Sequence, residues 1–334
     1  MLSTILTTFA VSALLAWILT RARGRWLVLD IPNDRSLHMH PTPRTGGIAM
    51  LAGGGAGAVM AWQQGYALAD SATTIALLML ALVALVDDWR KLGPGVRLSV
   101  HVVVVAGFLH SNWPFDLPLF LFAIILLFLV WMINLYNFMD GMDGFAAGMA
   151  IIGFGAYALL AWQAGQMELA LGCAVIMAAA AGFLLLNFPP ARLFMGDSGS
   201  TVLGLLAGGV ILQAHIEAVL PFWLGLLVFT PFVVDASITL TTRVLRGECF
   251  WRPHKNHYYQ RVVLLGWGHR RTVLAEYGLM LACSGTAITA AGMAVNAQIL
   301  IIVAWSVIYG VLMRLIRQAE RSKERQHETL RSPP

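Results

Sequence analysis

The chain has 334 residues, 58% of them hydrophobic and only 12% charged, with a mean hydropathy of +0.73. Soluble domains carry about a quarter charged residues, so this composition excludes a soluble globular protein and points to an all-α polytopic membrane protein. The three cysteines, Cys173, Cys249 and Cys283, have no paired spacing, which excludes a disulfide framework or cysteine-based metal site, and Cys173 and Cys283 read as core packing.

Runs of about 17 to 25 apolar residues can cross the hydrocarbon core. Eleven occur, approximately at 2–20, 46–65, 69–86, 98–113, 117–133, 145–163, 167–186, 200–216, 218–240, 273–295 and 297–313. The first lacks a basic segment before it and is followed by Arg21, Arg23 and Arg25. It therefore reads as a retained span with its N-terminus outside, not a cleaved signal. Alternation then assigns the loops 21–45, 87–97, 134–144, 187–199, 241–272 and 314–334 to one side, and these hold all 22 Lys and Arg of the chain. By the positive-inside rule that side is cytoplasmic, giving about 11 transmembrane helices with the C-terminus cytoplasmic. Residues 1–316 read as a single multi-span domain, followed by a charged tail over 317–334. Nothing in the charge pattern calls for a nucleic-acid partner, whereas the tail suits anionic lipid headgroups.

The dense polar clusters lie on the cytoplasmic side. An N-terminal loop runs from Asp30 through Pro41-Thr-Pro-Arg44-Thr-Gly46-Gly47, where an arginine and glycine backbone can meet a phosphate. Asp87 and Asp88 close the third run beside Lys91. Adjacent acids at a bilayer boundary call for a cation, and Lys91 can hold a phosphate. Asn134, Asn137, Asp140 and Asp143 fall at steps of three, so a helix continuing out of the bilayer is expected to bring them onto one face. Gly141 and Gly144 would then let backbone approach a ligand. Asn187 and Asp197 bracket a Pro-Pro and Gly-rich loop. Asp197 there stands at a helix N-terminus, where metal and phosphate can be held together. The long loop 243–271 contains Arg252, His254, Lys255 and His257, a basic pocket for a diphosphate or its sugar. Asp235, an acid inside the ninth run, is expected to carry a partner or a function.

Asp87-Asp88, Asn134-x-x-Asn137-x-x-Asp140-Gly-x-Asp143-Gly, Asn187-x-x-Pro190-Ala, Phe194-Met-Gly-Asp197-x-Gly-Ser and Pro-His-Lys-Asn-His257 together resemble the polyprenyl-phosphate N-acetylhexosamine-1-phosphate transferases. This superfamily (glycosyltransferase family 4) includes the phospho-MurNAc-pentapeptide translocase and the enzymes that initiate O-antigen and common-antigen synthesis. The likeness runs from about Asp30 to Arg271. It implies transfer of a sugar-1-phosphate from a UDP-N-acetylhexosamine to undecaprenyl phosphate at the cytoplasmic face of a bacterial inner membrane. The cofactor would be Mg²⁺, with Mn²⁺ as the substitute, and the assembly a homodimer. By the same resemblance, Asp87, Asp88, Asp140, Asp143 and Asp197 are the catalytic acids, with Asp197 and Asp87 toward the metal. Lys91, Asn134, Asn137, Asn187, Phe194, Arg252, His254, Lys255 and His257 are the substrate-binding positions, Asp143 and Phe194 toward the uridine and His254–His257 toward the sugar. The last loop departs from the run of adjacent histidines in the peptidoglycan translocases. That favours an N-acetylamino sugar for O-antigen or a similar glycan over a muropeptide. A secondary transporter is the rival class, but it would place its charges near the midplane and show internal repeats.

Overall fold

The computed structural model describes residues 1–21, 28–32, 37, 39–112, 118–249 and 254–331. Each of the eleven apolar runs is mostly helical over its described residues. They correspond to α1 (Leu2–Arg21), α2 (Gly46–Gln63), α3 (Ser71–Arg90), α4 (Pro94–Asn112), α5 (Leu119–Met139), α6 (Phe145–Gln163), α7 (Met167–Asn187), α8 (Asp197–Ile216), the pair α9 (Phe222–Val228) and α10 (Thr230–Leu245), α12 (Gly268–Ala290) and α13 (Val295–Arg331). A five-residue α11 (Tyr258–Val262) and a π-helical turn (Val263–Trp267) lead into α12. Among the described residues nine helical segments are long and apolar enough to cross a membrane, and ten if the bent pair α9–α10 counts as one span. Helix α2 is as long as a span, but its six glycines dilute its hydropathy. The α9–α10 pair turns through 86° at its break, where Pro231 enters the first turn of α10.

Helices α6, α7 and α8 form the centre, with 67%, 61% and 67% of their apolar 18-residue stretches buried, whereas that of α13 is 6% buried and lies at the periphery. Between helices in lipid the hydrophobic effect offers little drive, so small residues that allow close backbone approach do much of the packing. Gly204 of α8 is the clearest case, because a Cβ there would stand 2.6 Å from the Met132 carbonyl of α5. That contact draws the polar end of α5 against the start of α8.

The helix ends differ from expectation in one respect. Helix α5 runs six residues past the apolar stretch, so both Asn134 and Asn137 are helical, and then stops at Met139. Asp140 is the C-cap residue, and Gly144 takes a left-handed φ of 74° as α6 begins. The four polar residues therefore do not share one helical face. Asn134 reaches back to the Val130 carbonyl (2.7 Å) and sits 3.4 Å from His101 of α4, while Asn137 donates to Ser200 of α8 (3.0 Å). The physical reason is the glycine pair, which ends the helix between the two halves of the motif. At the other end of the chain, α13 continues as one helix through residue 316 to Arg331.

Candidate functional site

Short backbone pairing builds the floor of the site. A two-residue antiparallel ladder, β1 (Leu29–Asp30) with β2 (Thr42–Pro43), leads the chain to Arg44. The following residues pair with the loop before α8. Phe194 N–H donates to the Pro43 carbonyl (2.8 Å), Gly46 N–H to the Phe194 carbonyl (2.9 Å), and Gly47 N–H to the Met195 carbonyl (2.7 Å). Gly196 is required at the junction. Its φ is 73°, and a Cβ there would lie 2.5 Å from the Arg44 carbonyl.

That junction brings together residues more than a hundred positions apart. Arg44 Nη2 lies 3.0 Å from Asp197 Oδ1 and 3.3 Å from Asp88 Oδ1. Arg97 Nη1, in the first turn of α4, lies 3.3 Å from Asp197 Oδ2 and 3.3 Å from Asp87 Oδ2. Asp197 is thus shared between two arginines, and each arginine also holds one member of the Asp87–Asp88 pair. Asp87 Oδ1 additionally accepts the Leu92 N–H at 2.6 Å. Asp88 is the most enclosed of the three acids, its side chain 4% exposed. Burial pushes the Arg44 guanidinium down, but Asp197, Asp88, Asp30 and Asp140 more than reverse this and hold it above its ordinary value. The Asp140 carboxyl is pushed well above the usual carboxylate range, first by burial and then by Asp197, with Asp88 and Asp30 adding to it and Arg44 opposing.

The remaining motif residues form a bracing network behind this cluster. The Asn187 carboxamide accepts from the Gly144 N–H and donates to the Leu193 carbonyl, both at 2.9 Å. Asp143 Oδ2 accepts the Ala191 N–H (3.0 Å), and Oδ1 lies 3.0 Å from Nδ1 of His269. His269 also hydrogen-bonds the Leu37 backbone, which ties the N-terminal loop to the start of α12. Phe194 is half-buried, and Lys91 is exposed with a left-handed φ of 51° at the end of α3.

The basic loop supplies a separate cluster. Asp235 of α10 has the expected partner. It lies 3.2 Å from His257 Nδ1 and accepts from the backbone N–H groups of Tyr258 and Tyr259 and from the Thr239 hydroxyl, each at 3.0 Å. The His257 ring stacks on Phe138 near the end of α5 (centroids 6.3 Å) and lies 4.9 Å from the His254 ring. Burial, followed by His257 and Arg243, pushes the His254 imidazole down to about 4, so it is neutral at neutral pH. Lys255 is half-buried, and Arg252 lies outside the described residues.

Sequence reasoning missed Arg97 and His269 as site residues. In the sequence Arg97 reads only as positive-inside charge. Its signal was its position three residues after Pro94 in a first helical turn, where the macrodipole disfavours a cation unless an acid compensates. His269 carried no local signal, because Asp143 reaches it only through the fold.

A divalent metal fits this cluster through its donor chemistry. Among the described residues no three His, Cys, Asp or Glu side chains converge closely enough to chelate an ion as they stand. The donors are nevertheless hard carboxylate oxygens, the kind Mg²⁺ takes. Asp87, Asp88, Asp140 and Asp197 also outnumber the two arginines among them.

The fold and site thus define a multi-pass helical membrane protein with an acid–arginine cluster at adjoining helix ends. Residues 71–215 match the model of glycosyl transferase family 4, the family that the motifs resemble. A probable undecaprenyl-phosphate N-acetylglucosaminyl 1-phosphate transferase of Bacillus subtilis is 28% identical over 291 residues, covering 82% of this chain and 81% of the relative. A phospho-N-acetylmuramoyl-pentapeptide-transferase of Geobacillus thermodenitrificans is 36% identical over 177 residues, and one of Levilactobacillus brevis 31% over 203. Those alignments span just over half of each protein, 53% and 58% of the relatives' lengths.

Proposed function

We propose that the protein transfers an N-acetylhexosamine-1-phosphate from a UDP-sugar to undecaprenyl phosphate, giving undecaprenyl-diphospho-sugar and UMP. On this reading it initiates a cell-surface polysaccharide such as O-antigen, from a bacterial inner membrane. Eleven spans, with the N-terminus outside, would put the acid–arginine cluster at the cytoplasmic face. The observation that carries the proposal is Asp197, held between Arg44 and Arg97 at the junction of α3, α4 and α8, inside the segment that matches the family. The long alignment to an N-acetylglucosaminyl 1-phosphate transferase supports an N-acetylamino sugar over a muropeptide.

Two anions must be brought together in this reaction, so positioning and charge neutralisation carry most of the barrier. A phosphate monoester has its second pKa near about 6, and a strong general base is not needed. An oxygen of the lipid phosphate attacks the sugar-bearing β-phosphorus, the bond from that phosphorus to the bridging oxygen breaks, and UMP leaves with that oxygen. Arg44 and Arg97 are fork-shaped donors and would exchange carboxylate oxygens for phosphate oxygens as substrates arrive. Asp87, fixed by the Leu92 N–H, would orient the attacking phosphate. Asp197 and Asp87 would hold Mg²⁺, which when bound supplies Lewis-acid neutralisation of the diphosphate. Asp143 and Asn187, tied to backbone groups, would shape the wall of the nucleotide pocket.

The test is UMP release and lipid-linked product from purified protein with undecaprenyl phosphate, Mg²⁺ and a panel of UDP-N-acetyl sugars, with Asp197→Asn as control. Product with one sugar, lost on chelation and in the variant, is expected. Product only with UDP-MurNAc-pentapeptide would replace the sugar assignment, and none with any donor would overturn the reaction.

A further inference from the structure

We propose that Asp235 is a positioning residue that fixes the tautomer of His257, keeping the proton on Nδ1 and leaving Nε2 as an acceptor for the hydroxyl or amide N–H of the donor sugar. This rests on the transferase reading above and assigns a task to an acid which that mechanism does not use.

A carboxylate within an apolar helix is expensive unless its charge is compensated. Asp235 is 7% exposed and meets four groups, namely His257 Nδ1, the Tyr258 and Tyr259 N–H groups and the Thr239 hydroxyl. The Tyr258 and Tyr259 N–H groups can only donate, one to each carboxylate oxygen, and the Thr239 hydroxyl donates to Oδ1, so Oδ1 already serves as an acceptor. The ring nitrogen is the one ambiguous member. The Gln260 N–H also closes on the His257 side chain in a capping box, a contact that would want a bare ring nitrogen. A bare Nδ1 at 3.2 Å from this accepting oxygen would set two lone pairs against each other, so the proton belongs on Nδ1 and points to Asp235. With Nδ1 engaged, Nε2 is the only ring nitrogen left for substrate. The ring cannot swing away. It is 4% exposed, stacked on Phe138 and on Tyr259 (centroids 6.3 and 5.9 Å), and Tyr259 itself donates to the Phe138 carbonyl (3.2 Å). Phe138 stands two residues before Asp140, so the orientation of His257 is referred directly to the acid end of α5. For metal-ligating histidines, an acid that holds the other ring N–H is a recurring device whose loss typically costs about 10–100-fold, and a loss of the same order is expected for Asp235.

The first measurement uses the unaltered protein. Imidazole ¹⁵N resonances of histidine-labelled protein at about pH 7.5, with His257 assigned by its loss in His257→Gln, should show Nδ1 protonated and Nε2 bare. A bare Nδ1, or a proton on both nitrogens, overturns the assignment whatever the variants do. The second is a double-mutant cycle of Asp235→Asn and His257→Gln, read by UMP release. Asp235→Asn should raise KM for the UDP-sugar about 10-fold or more, leave KM for undecaprenyl phosphate unchanged, and add almost nothing in the His257→Gln background. Asp235→Glu should recover part of the loss. Additive losses, or equal rises in both KM values, would make Asp235 a purely structural cap. Inactivity of the unaltered protein with every UDP-sugar would instead sink the transferase reading, while the resonances would still decide the tautomer.

Discussion

Two carboxylate clusters lie on either side of the end of α5, and they are built in opposite ways. At Asp235 one acid meets four groups, two of them backbone N–H donors fixed by the chain and a third the Thr239 hydroxyl one helical turn away. At Asp197 the partners are two long arginine side chains, 29% and 39% exposed, each shared with a second acid at 3.0–3.3 Å. The first arrangement is satisfied and rigid. The second has more acids than cations and partners that can change. A buried carboxylate with backbone donors holds a shape, whereas acids held by mobile cations can release them to a metal or a phosphate.

Substitutions should separate the two. Asp197→Asn removes the shared acid and should lower kcat on the order of 10²–10³-fold, measured as UMP release, while thermal unfolding in detergent stays near that of the unaltered protein. A large fall in melting temperature would mean the cluster is structural like the Asp235 one. Arg97→Lys keeps the charge but loses the fork, and about a 10-fold loss in kcat/KM is expected. Unchanged kinetics would remove Arg97 from the site. Asn187→Ala belongs to the bracing side of the comparison. It leaves the Gly144 N–H and Leu193 carbonyl without partners, so about 1–3 kcal/mol of stability should be lost, seen by chemical unfolding. A change in kcat without that loss would give Asn187 a direct role with substrate.

The pH dependence sharpens the same contrast. The Asp140 carboxyl is raised by burial and by Asp197, so it keeps its proton to higher pH than an ordinary acid, and that proton opposes cation binding. Apparent Mg²⁺ affinity should therefore fall as pH is lowered through the raised value and recover as pH rises past it. Activation titrations run from the ordinary carboxylate range upward should show this trend, and Asp140→Asn should flatten it. A flat profile in the unaltered protein would detach Asp140 from the metal. Lys91→Gln should have the smallest effect, less than about threefold, because Lys91 is exposed at the end of α3.

Much of the architecture is legible in the chain. The eleven apolar runs are mostly helical because a span has no alternative to internal backbone hydrogen bonding in lipid, and that constraint acts on each run by itself. The acids at the helix ends are equally legible, since Asp87, Asp88 and Asp197 are costly where they stand. Pairing is not. That Arg44 serves Asp88 while Arg97 serves Asp87 depends on the backbone ladder between residues 43–47 and 194–195. Likewise His269 meets Asp143, and Asn134 turns toward α4 instead of joining Asn137 against α8.

Composition and local pattern determined the membrane class, the helices and the list of acids, because hydropathy and desolvation cost are properties of a residue and its near neighbours. The tertiary structure decided which cation neutralises which acid, which amides face the cluster and which only brace it, and that Asp235 faces a histidine. Those choices depend on distances of about 3 Å between residues up to 153 positions apart, and no local rule fixes such a distance.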